Sequence, residues 1–421
     1  MPARRRSLVV GLTVGLAVTT LTLAAPGAHA SPCNALGPVG HDVGSTGSAA
    51  SSRIGMGSLD FGSYSAPGKK PQMPLKKLKG GPSQTVQWVT GPLSPNRTDK
   101  RFSITATDVG VSWDNGSGQV LMAFGDTWGK CNGALVWRHN TMLRAKGSSD
   151  VSKGITFPNA RPGDIRSGAS VTPAQPTFAQ PITNAIGIRN IEVGRIPTAG
   201  ISIGGVQYLS FMSIQRWGEA GRWETGYSAL ASSHDNGQTW QVQNNTIRSR
   251  YELNLPGVPQ TSTGQGRFQV SSFLRQGDWV YQYGTPNGRF GALFLARVPA
   301  SRILDMNAYQ YYNGGGRWSN YSGDATKIAT EPIAEVSVRY NNYLGKFVML
   351  SSRKGSITLR TAPNPEGPWS GPRTIVSARQ ISKLYAPYIW PRDTGGALYF
   401  VASRWDDYNV MLIRTDLSSF R

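Results

Sequence analysis

Apolar and polar residues alternate in five stretches of the chain, each led by a glycine turn. They are Gly118–Asp126 (GQVLMAFGD), Gly204–Met212 (GGVQYLSFM), Gly277–Gly284 (GDWVYQYG), Gly345–Ser351 (GKFVMLS) and Gly395–Ser403 (GGALYFVAS). Successive side chains on a strand point to opposite faces, so a period of two predicts half-buried β-strands. Leu121, Tyr208, Tyr281, Val348 and Tyr399 mark the recurrences at separations of 87, 73, 67 and 51 residues. Each interval has room for about four strands plus loops, and the repetition predicts an all-β chain folded as a five-bladed β-propeller.

Every glycine-led strand has a partner segment before it: Ile104–Val111, Ile196–Ser202, Phe268–Leu274, Ile333–Tyr340 and Ala386–Trp390. Another follows it: Ala134–Ala145, Tyr227–Ser233, Ala292–Val298, Ile357–Ala362 and Asn409–Asp416. The first strand of a propeller blade usually lines the axis, so the leading set names a pocket. Its polar members are Asp108, Thr198, Gln269, Glu335 and Tyr388. Ser233 to Trp240 (SHDNGQTW) fits the Asp-box pattern S-x-D-x-G-x-T-W, a hairpin in which Asp and Asn bond nearby backbone and Gly takes a positive φ. It speaks for the fold and hardly at all for function.

The ends of the chain read differently. Arg4, Arg5 and Arg6 precede an apolar run from Leu8 to Ala25, and Ala28-His29-Ala30 fits a small-x-small cleavage site, so residues 1–30 read as a signal peptide. An uncleaved membrane anchor is the alternative. Residues 31–82, rich in Ser, Gly, Pro and Lys, read as a flexible basic arm, and 83–421 as the propeller domain. Lys69, Lys70, Lys76, Lys77 and Lys79 make the arm either a tether to an acidic surface or a solubilising linker.

The chain has 44 basic against 23 acidic residues, a formal charge of +21, of which the leader's arginines supply three. An exported protein this basic is expected to meet an anionic cell envelope; no helix, zinc or RNA-binding motif accompanies the charge, so nucleic acid is not expected. Cys33 and Cys131 are predicted to form a disulfide in that oxidising setting, with lipidation of Cys33 as the alternative. No histidine or cysteine spacing suits a metal, and no glycine loop suits a nucleotide, so no cofactor is expected, and a monomer is.

Acids are scarce, so those inside apolar strands stand out. Asp108 and Asp126 flank a hairpin whose tip is Asp114 to Gly118, and counting from the tip brings them to the same end of adjacent strands. Glu335 occupies the corresponding leading strand of the fourth unit. Like charges gathered at one axis push at least one pKa upward and supply a protonated acid beside an ionised base, which is what glycosidic cleavage needs. Trp113, Trp128, Trp137, Trp217, Trp390 and Trp405 lie at strand ends or in loops where sugar faces could stack, although tryptophans in such sheets are mostly core.

TDVGVSW around Asp108, AFGDTWG around Asp126, RHNTMLR around Asn140, RIPTAGISIGGVQYLSFM, AEVSVRYNNYLGKFVML and YNVMLIRTDL together resemble a secreted actinobacterial family of endo-D-arabinanases. The resemblance runs from about Ile104 to Arg421. It implies a propeller glycoside hydrolase that cuts internal α-D-arabinofuranosyl linkages of arabinogalactan and lipoarabinomannan, with Asp108 and Asp126 as its catalytic pair. Glu335, Asn140, Gln269, Tyr340 and Asn341 complete the candidate set, to bind substrate or tune the acids. His139 and the acidic run Trp405 to Asn409 depart from the family pattern.

Two rivals stay open. A non-catalytic, lectin-like propeller would use the same aromatics and charge, but leaves the buried acids unexplained. A sialidase would explain the Asp-box and Arg195-Ile196-Pro197, yet only one full Asp-box is present and the Arg-Ile-Pro falls in the second unit.

Overall fold

The computed structural model describes residues 71–421, apart from 148–149, 189, 220 and 252–262. The expected leader, Cys33 and most of the expected arm lie outside the described residues. The arm's last stretch is not free: Gln72 Nε2 donates to Thr90 O at 3.0 Å, and Met73 N donates to Asp407 Oδ1 at 2.8 Å. Cys131 is buried.

Strands dominate the described chain. After β1 (Ser83–Trp88) come β2 (Ala106–Asp114), β3 (Gln119–Cys131), β4 (Ala134–Arg138) and β5 (Thr141–Lys146). Both β4 and β5 pair with β3, so the strand expected over Ala134–Ala145 is split at His139–Asn140. A second antiparallel meander runs through β6 (Gly194–Ile203), β7 (Val206–Trp217), β8 (Trp223–Ser233) and β9 (Gln241–Ser249). The third holds β10 (Val270–Gln276), β11 (Trp279–Thr285) and β12 (Gly291–Pro299), with β13 (Gln310–Tyr312) and β14 (Trp318–Ser319) at its edge. The fourth holds β15 (Ala329–Asn341), β16 (Lys346–Arg353), β17 (Ser356–Ala362) and β18 (Arg373–Val376). The last holds β19 (Leu384–Ile389), β20 (Ala397–Arg404) and β21 (Asn409–Asp416), and β1 completes it by pairing with β21 from Ser83↔Thr415 to Trp88↔Met411.

Pairing of β12 with β15 joins the third and fourth meanders into one nine-stranded sheet beside three four-stranded sheets. The leading strands β2, β6, β10, β15 and β19 touch one another in sequence, and β19 returns to β2, so they close a ring. The five turn glycines explain where the strands begin. Gly118, Gly204, Gly277, Gly345 and Gly395 all have positive φ, between 58° and 93°, with open space where a Cβ would stand. Glycine is required there by backbone conformation rather than by crowding.

At the 233–240 hairpin, Asp235 Oδ1 accepts from Thr239 N at 2.9 Å and Oδ2 from Thr239 Oγ1 at 2.6 Å, while Asn236 and Gly237 have positive φ. Trp240 packs edge-on against Trp113, its ring centroid 6.4 Å away. Arg144, fully buried, then ties this turn to the first meander through Asn236 O and Gln238 Oε1.

Strict alternation fails at one level of the ring. Register shifts interrupt β2 between Thr107 and Val111, β6 between Pro197 and Ala199, β15 between Ala334 and Ser337, and β19 between Tyr385 and Tyr388. Val109, Glu335 and Ala386 there have φ of 69°, 37° and 50°. Such bulges re-aim side chains, and β-branched Val109 in a left-handed conformation is backbone strain of the kind that concentrates at functional sites.

Candidate active site

The bulges deliver Asp108, Thr198, Glu335 and Tyr385 to one pocket of about 940 Å³ at an end of the ring. Asp126 joins them from β3, because the bulge leaves Asp108 opposite the Gly125–Asp126 step, between the pairs Thr107↔Thr127 and Val109↔Phe124. Gly125 is dictated by this approach: a Cβ there would collide with Asp108 Oδ1 and lie 3.1 Å from Val109 Cγ2. Trp128, Trp137, Trp217, Trp223 and Trp405 wall the pocket.

Asp108 is 8% exposed. Its Oδ2 accepts from the Tyr385 hydroxyl at 2.9 Å, and its Oδ1 is buried with no hydrogen-bond partner among the described residues. Asp126 Oδ1 accepts from Trp137 Nε1 at 2.8 Å, and its Oδ2 lies 3.5 Å from the Tyr408 hydroxyl. Glu335 Oε1 pairs with Arg289 Nε at 2.6 Å, and its Oε2 has no partner among the described residues. The Arg289 guanidinium lies over the rings of Tyr385 and Trp223, at 4.7 and 5.4 Å from their centroids. Two indole donors, Trp128 Nε1 and Trp223 Nε1, are likewise buried and unbonded among the described residues.

Burial pushes the Asp108 carboxyl up to about 6 from an ordinary 3.8; Glu335 adds to the rise, while the Tyr385 and Tyr408 hydroxyls and Arg289 restrain it. Asp126 is driven well above its ordinary value, by burial first and then by the charge of Asp108. Tyr408 is pushed upward by burial and then by both aspartates, so its hydroxyl stands in the field of the pair. Protons therefore leave these acids as a coupled system. Burial opposes the charge on Arg289, yet Glu335 and the neighbouring acid outweigh it and raise its pKa.

Asp108, Asp126 and Glu335 are thus brought together, with Thr198 and Tyr388 in the same lining. Four other candidates stand elsewhere. Asn140 is buried with its amide fully engaged: Nδ2 donates to Thr183 O and Arg195 O, and Oδ1 accepts from Ile182 N and Thr183 N. Gln269 is completely buried between Thr225 Oγ1, Arg248 O and Gln265 O. Asn341 Oδ1 accepts from Leu344 N and closes a turn, and exposed Tyr340 meets Phe347 edge to face and lines a different cavity. Asn140, Gln269 and Asn341 thus spend their side-chain amides on neighbouring protein groups. Trp113 and Trp390 are core, both under 5% exposed. Asp406 and Asp407, the acidic departures, face Lys383 and Arg404 as ion pairs, whereas Trp405 and Tyr408 beside them face the pocket.

Arg289, Tyr385, Tyr408 and Trp223 line this candidate site and were missed by sequence reasoning. Tyr385 is the second residue of β19, one residue before the expected start at Ala386, and Tyr408, with φ of 47°, ends a turn before β21. A sharper reading of the WDDY turn was the one available signal; nothing in the local pattern marks Arg289.

The chain is similar to notoamide biosynthesis cluster protein J of Aspergillus sp. (strain MF297-2), 26% identical over 319 residues that cover 73% of this chain and 81% of that protein. Among solved structures it is similar to a Bacteroides ovatus ATCC 8483 protein, with a TM-score of 0.50 at 12% identity, covering 83% of this chain and 97% of the other. That likeness is one of fold. A looser one, with a TM-score of 0.42 at 12% identity over 75% of this chain and 96% of the other, is to native Bacillus subtilis arabinanase. Across residues 93–414, which include every residue lining the acid-bearing pocket, the chain belongs to the family described as Domain of unknown function (DUF4185).

Proposed function

We propose that this protein is a secreted glycoside hydrolase, a five-bladed β-propeller that cleaves internal α-D-arabinofuranosyl linkages of cell-envelope arabinan. The observation that carries the reading is the Asp108–Asp126 pair, the first buried and the second half-buried, set in one pocket beside the Tyr408 hydroxyl, with Asp108 Oδ1 unpartnered among the described residues. Two coupled carboxyls in a low-dielectric pocket hold a proton on one and a charge on the other near neutral pH. Asp126, raised well above its ordinary value, supplies the proton to the departing sugar oxygen. Asp108, titrating near 6, is the ionised partner that activates water or attacks the anomeric carbon through an oxocarbenium-like transition state.

A polyhydroxylated ligand suits the remaining atoms. Sugar hydroxyls both donate and accept, and the pocket offers unbonded acceptors at Asp108 Oδ1 and Glu335 Oε2 beside unbonded donors at Trp128 and Trp223. Tryptophan walls supply flat faces for sugar rings. The specificity for D-arabinan rests on the family resemblance of the sequence, export on the leader-like residues 1–30, and attachment to an anionic envelope on the basic charge; the Cys33–Cys131 disulfide, suited to an oxidising setting, belongs to the same proposal.

The test is to incubate purified protein with D-arabinan and measure new reducing ends, beside folded Asp108→Asn and Asp126→Asn variants. Oligosaccharide products that each substitution lowers at least about 1000-fold support the reading. Wild-type rates in both variants overturn it. The aromatic walls also favour a second reading, a lectin-like binder, which predicts arabinan binding with no new reducing ends.

A further inference from the structure

A second cavity, of about 1130 Å³, opens at the other end of the same ring, lined by the far halves of all five leading strands. Tyr388 borders both cavities, and its hydroxyl donates to Thr198 O, so these two residues partition the channel. The chemistry of the two ends differs. At the acid-bearing end the unbonded polar atoms include carboxylate oxygens; at the far end they include the Arg339 guanidinium and the Ser112 hydroxyl, and the one carboxylate in that lining, Asp114, is paired with Arg392.

Arg339 lines the far cavity, and its guanidinium makes no hydrogen bond or ion pair with any described residue. Burial holds its guanidinium below the ordinary range, with Asp393 and Asp114 opposing that from a distance. Those acids are already engaged: Asp114 Oδ2 lies 2.9 Å from Arg392 Nη2, and Asp393 accepts from Asn342 Nδ2 and Gly395 N. Arg275, on the rim, uses only its Nε, toward Gly277 O at 3.2 Å in its own hairpin. Ser112 Oγ is buried and unbonded among the described residues.

Arg339 is half-buried, a partly desolvated cation without a partner is unfavourable, and a guanidinium fork is shaped for planar or tetrahedral oxyanions. The excess of 44 basic over 23 acidic residues draws anions toward the whole molecule. We propose that the far mouth is a second binding site, separate from the acid-bearing pocket, that takes an oxyanion, phosphate or carboxylate, carried on an anionic polysaccharide. Arg339 is its central ligand, with Arg275 and the Ser112 hydroxyl at its edge. The site would hold the protein to a charged polymer by the face opposite its acids.

Calorimetric titration of inorganic phosphate, and separately of glucuronate, into the full chain tests this and identifies which oxyanion is taken. Wild type is expected to bind at least one of them, and Arg339→Met to weaken that binding at least about tenfold. Arg275→Met, at an exposed position that folding tolerates, is expected to weaken it about threefold and guards against an unfolded Arg339 variant. Arabinan cleavage should be unchanged in both variants, so loss of this proposal and loss of the hydrolase reading are separable. Binding of neither anion by wild type, or equal binding by wild type and both variants, overturns it.

Discussion

The Tyr385 hydroxyl donates to Asp108 Oδ2 at 2.9 Å, which fixes one carboxylate oxygen and leaves the other, Oδ1, buried and unbonded among the described residues. A hydrogen bond to the charged form favours ionisation, so Tyr385 restrains a pKa that burial raises. Tyr385→Phe keeps the ring beneath Arg289 and removes only the hydroxyl. Bonds to charged groups contribute about 1.5–3 kcal/mol, so the Asp108 pKa should rise by about one unit or more. In a pH–rate profile on arabinan, the limb that requires ionised Asp108 moves to higher pH, and the rate at pH 6 falls at least about fivefold. An unmoved limb would show that this bond does not set the titration.

Asp108 also makes stability depend on pH. Its folded pKa, about 6, exceeds the ordinary 3.8 of the unfolded chain, so between those values the folded state binds more protons than the unfolded state. Stability must then fall as pH rises through that window, and it stays lower above it. Asp108→Asn removes the titration. It should stabilise the fold by up to about 3 kcal/mol at pH 7 and much less at pH 4. Thermal melts of the two proteins at both pH values check this; an equal difference at pH 4 and pH 7 contradicts it.

What the sequence made legible follows from periodicity. Alternation exposed the strands, and counting from the Asp114–Gly118 hairpin brought Asp108 and Asp126 together, as the β2–β3 register does. The rest was hidden for two physical reasons. Bulges break the period of two at Asp108, Thr198, Glu335 and Tyr385, the very positions that turn toward the pocket. Arg289 and Tyr408 arrive from loops 181 and 300 residues beyond Asp108, and only ring closure makes them neighbours. Asn140 and Gln269 misled because a polar residue bonding a neighbouring strand's backbone has the same local pattern as one awaiting a ligand.

Arg289 and Glu335 should behave as one unit. Arg289→Met leaves the Glu335 carboxylate without its cation, and their side chains are 25% and 12% exposed, so the loss should be about 2–3 kcal/mol, below that of a fully buried pair. The same change removes a positive charge that holds Asp108 down, and the pH–rate limb should shift upward with it. Adding Glu335→Gln to Arg289→Met should recover most of the lost stability, a coupling that chemical denaturation of the four proteins in a double-mutant cycle measures. Additive losses would mean the pair is not coupled.

Gly125→Ala tests whether the acids' mutual placement, rather than their mere presence, governs the proposed reaction. The added methyl would fall on Asp108 Oδ1 and within 3.4 Å of both Val109 and Ile196. Val109 cannot retreat easily, because its φ of 69° is already strained for a β-branched residue. The carboxylate is the softer neighbour, so it should move. Overpacking of this kind costs about 1–3 kcal/mol, which leaves the protein folded, whereas displacing a reacting group by about 1 Å costs on the order of 100-fold in rate. The variant should therefore keep a cooperative melt a few degrees below wild type and lose about two orders of magnitude of arabinan cleavage. Gly371→Ala is the control, since it lies in open space with no left-handed φ and should alter neither quantity. A folded Gly125→Ala protein cleaving arabinan at the wild-type rate would mean that Asp108 Oδ1 does not act from where it stands.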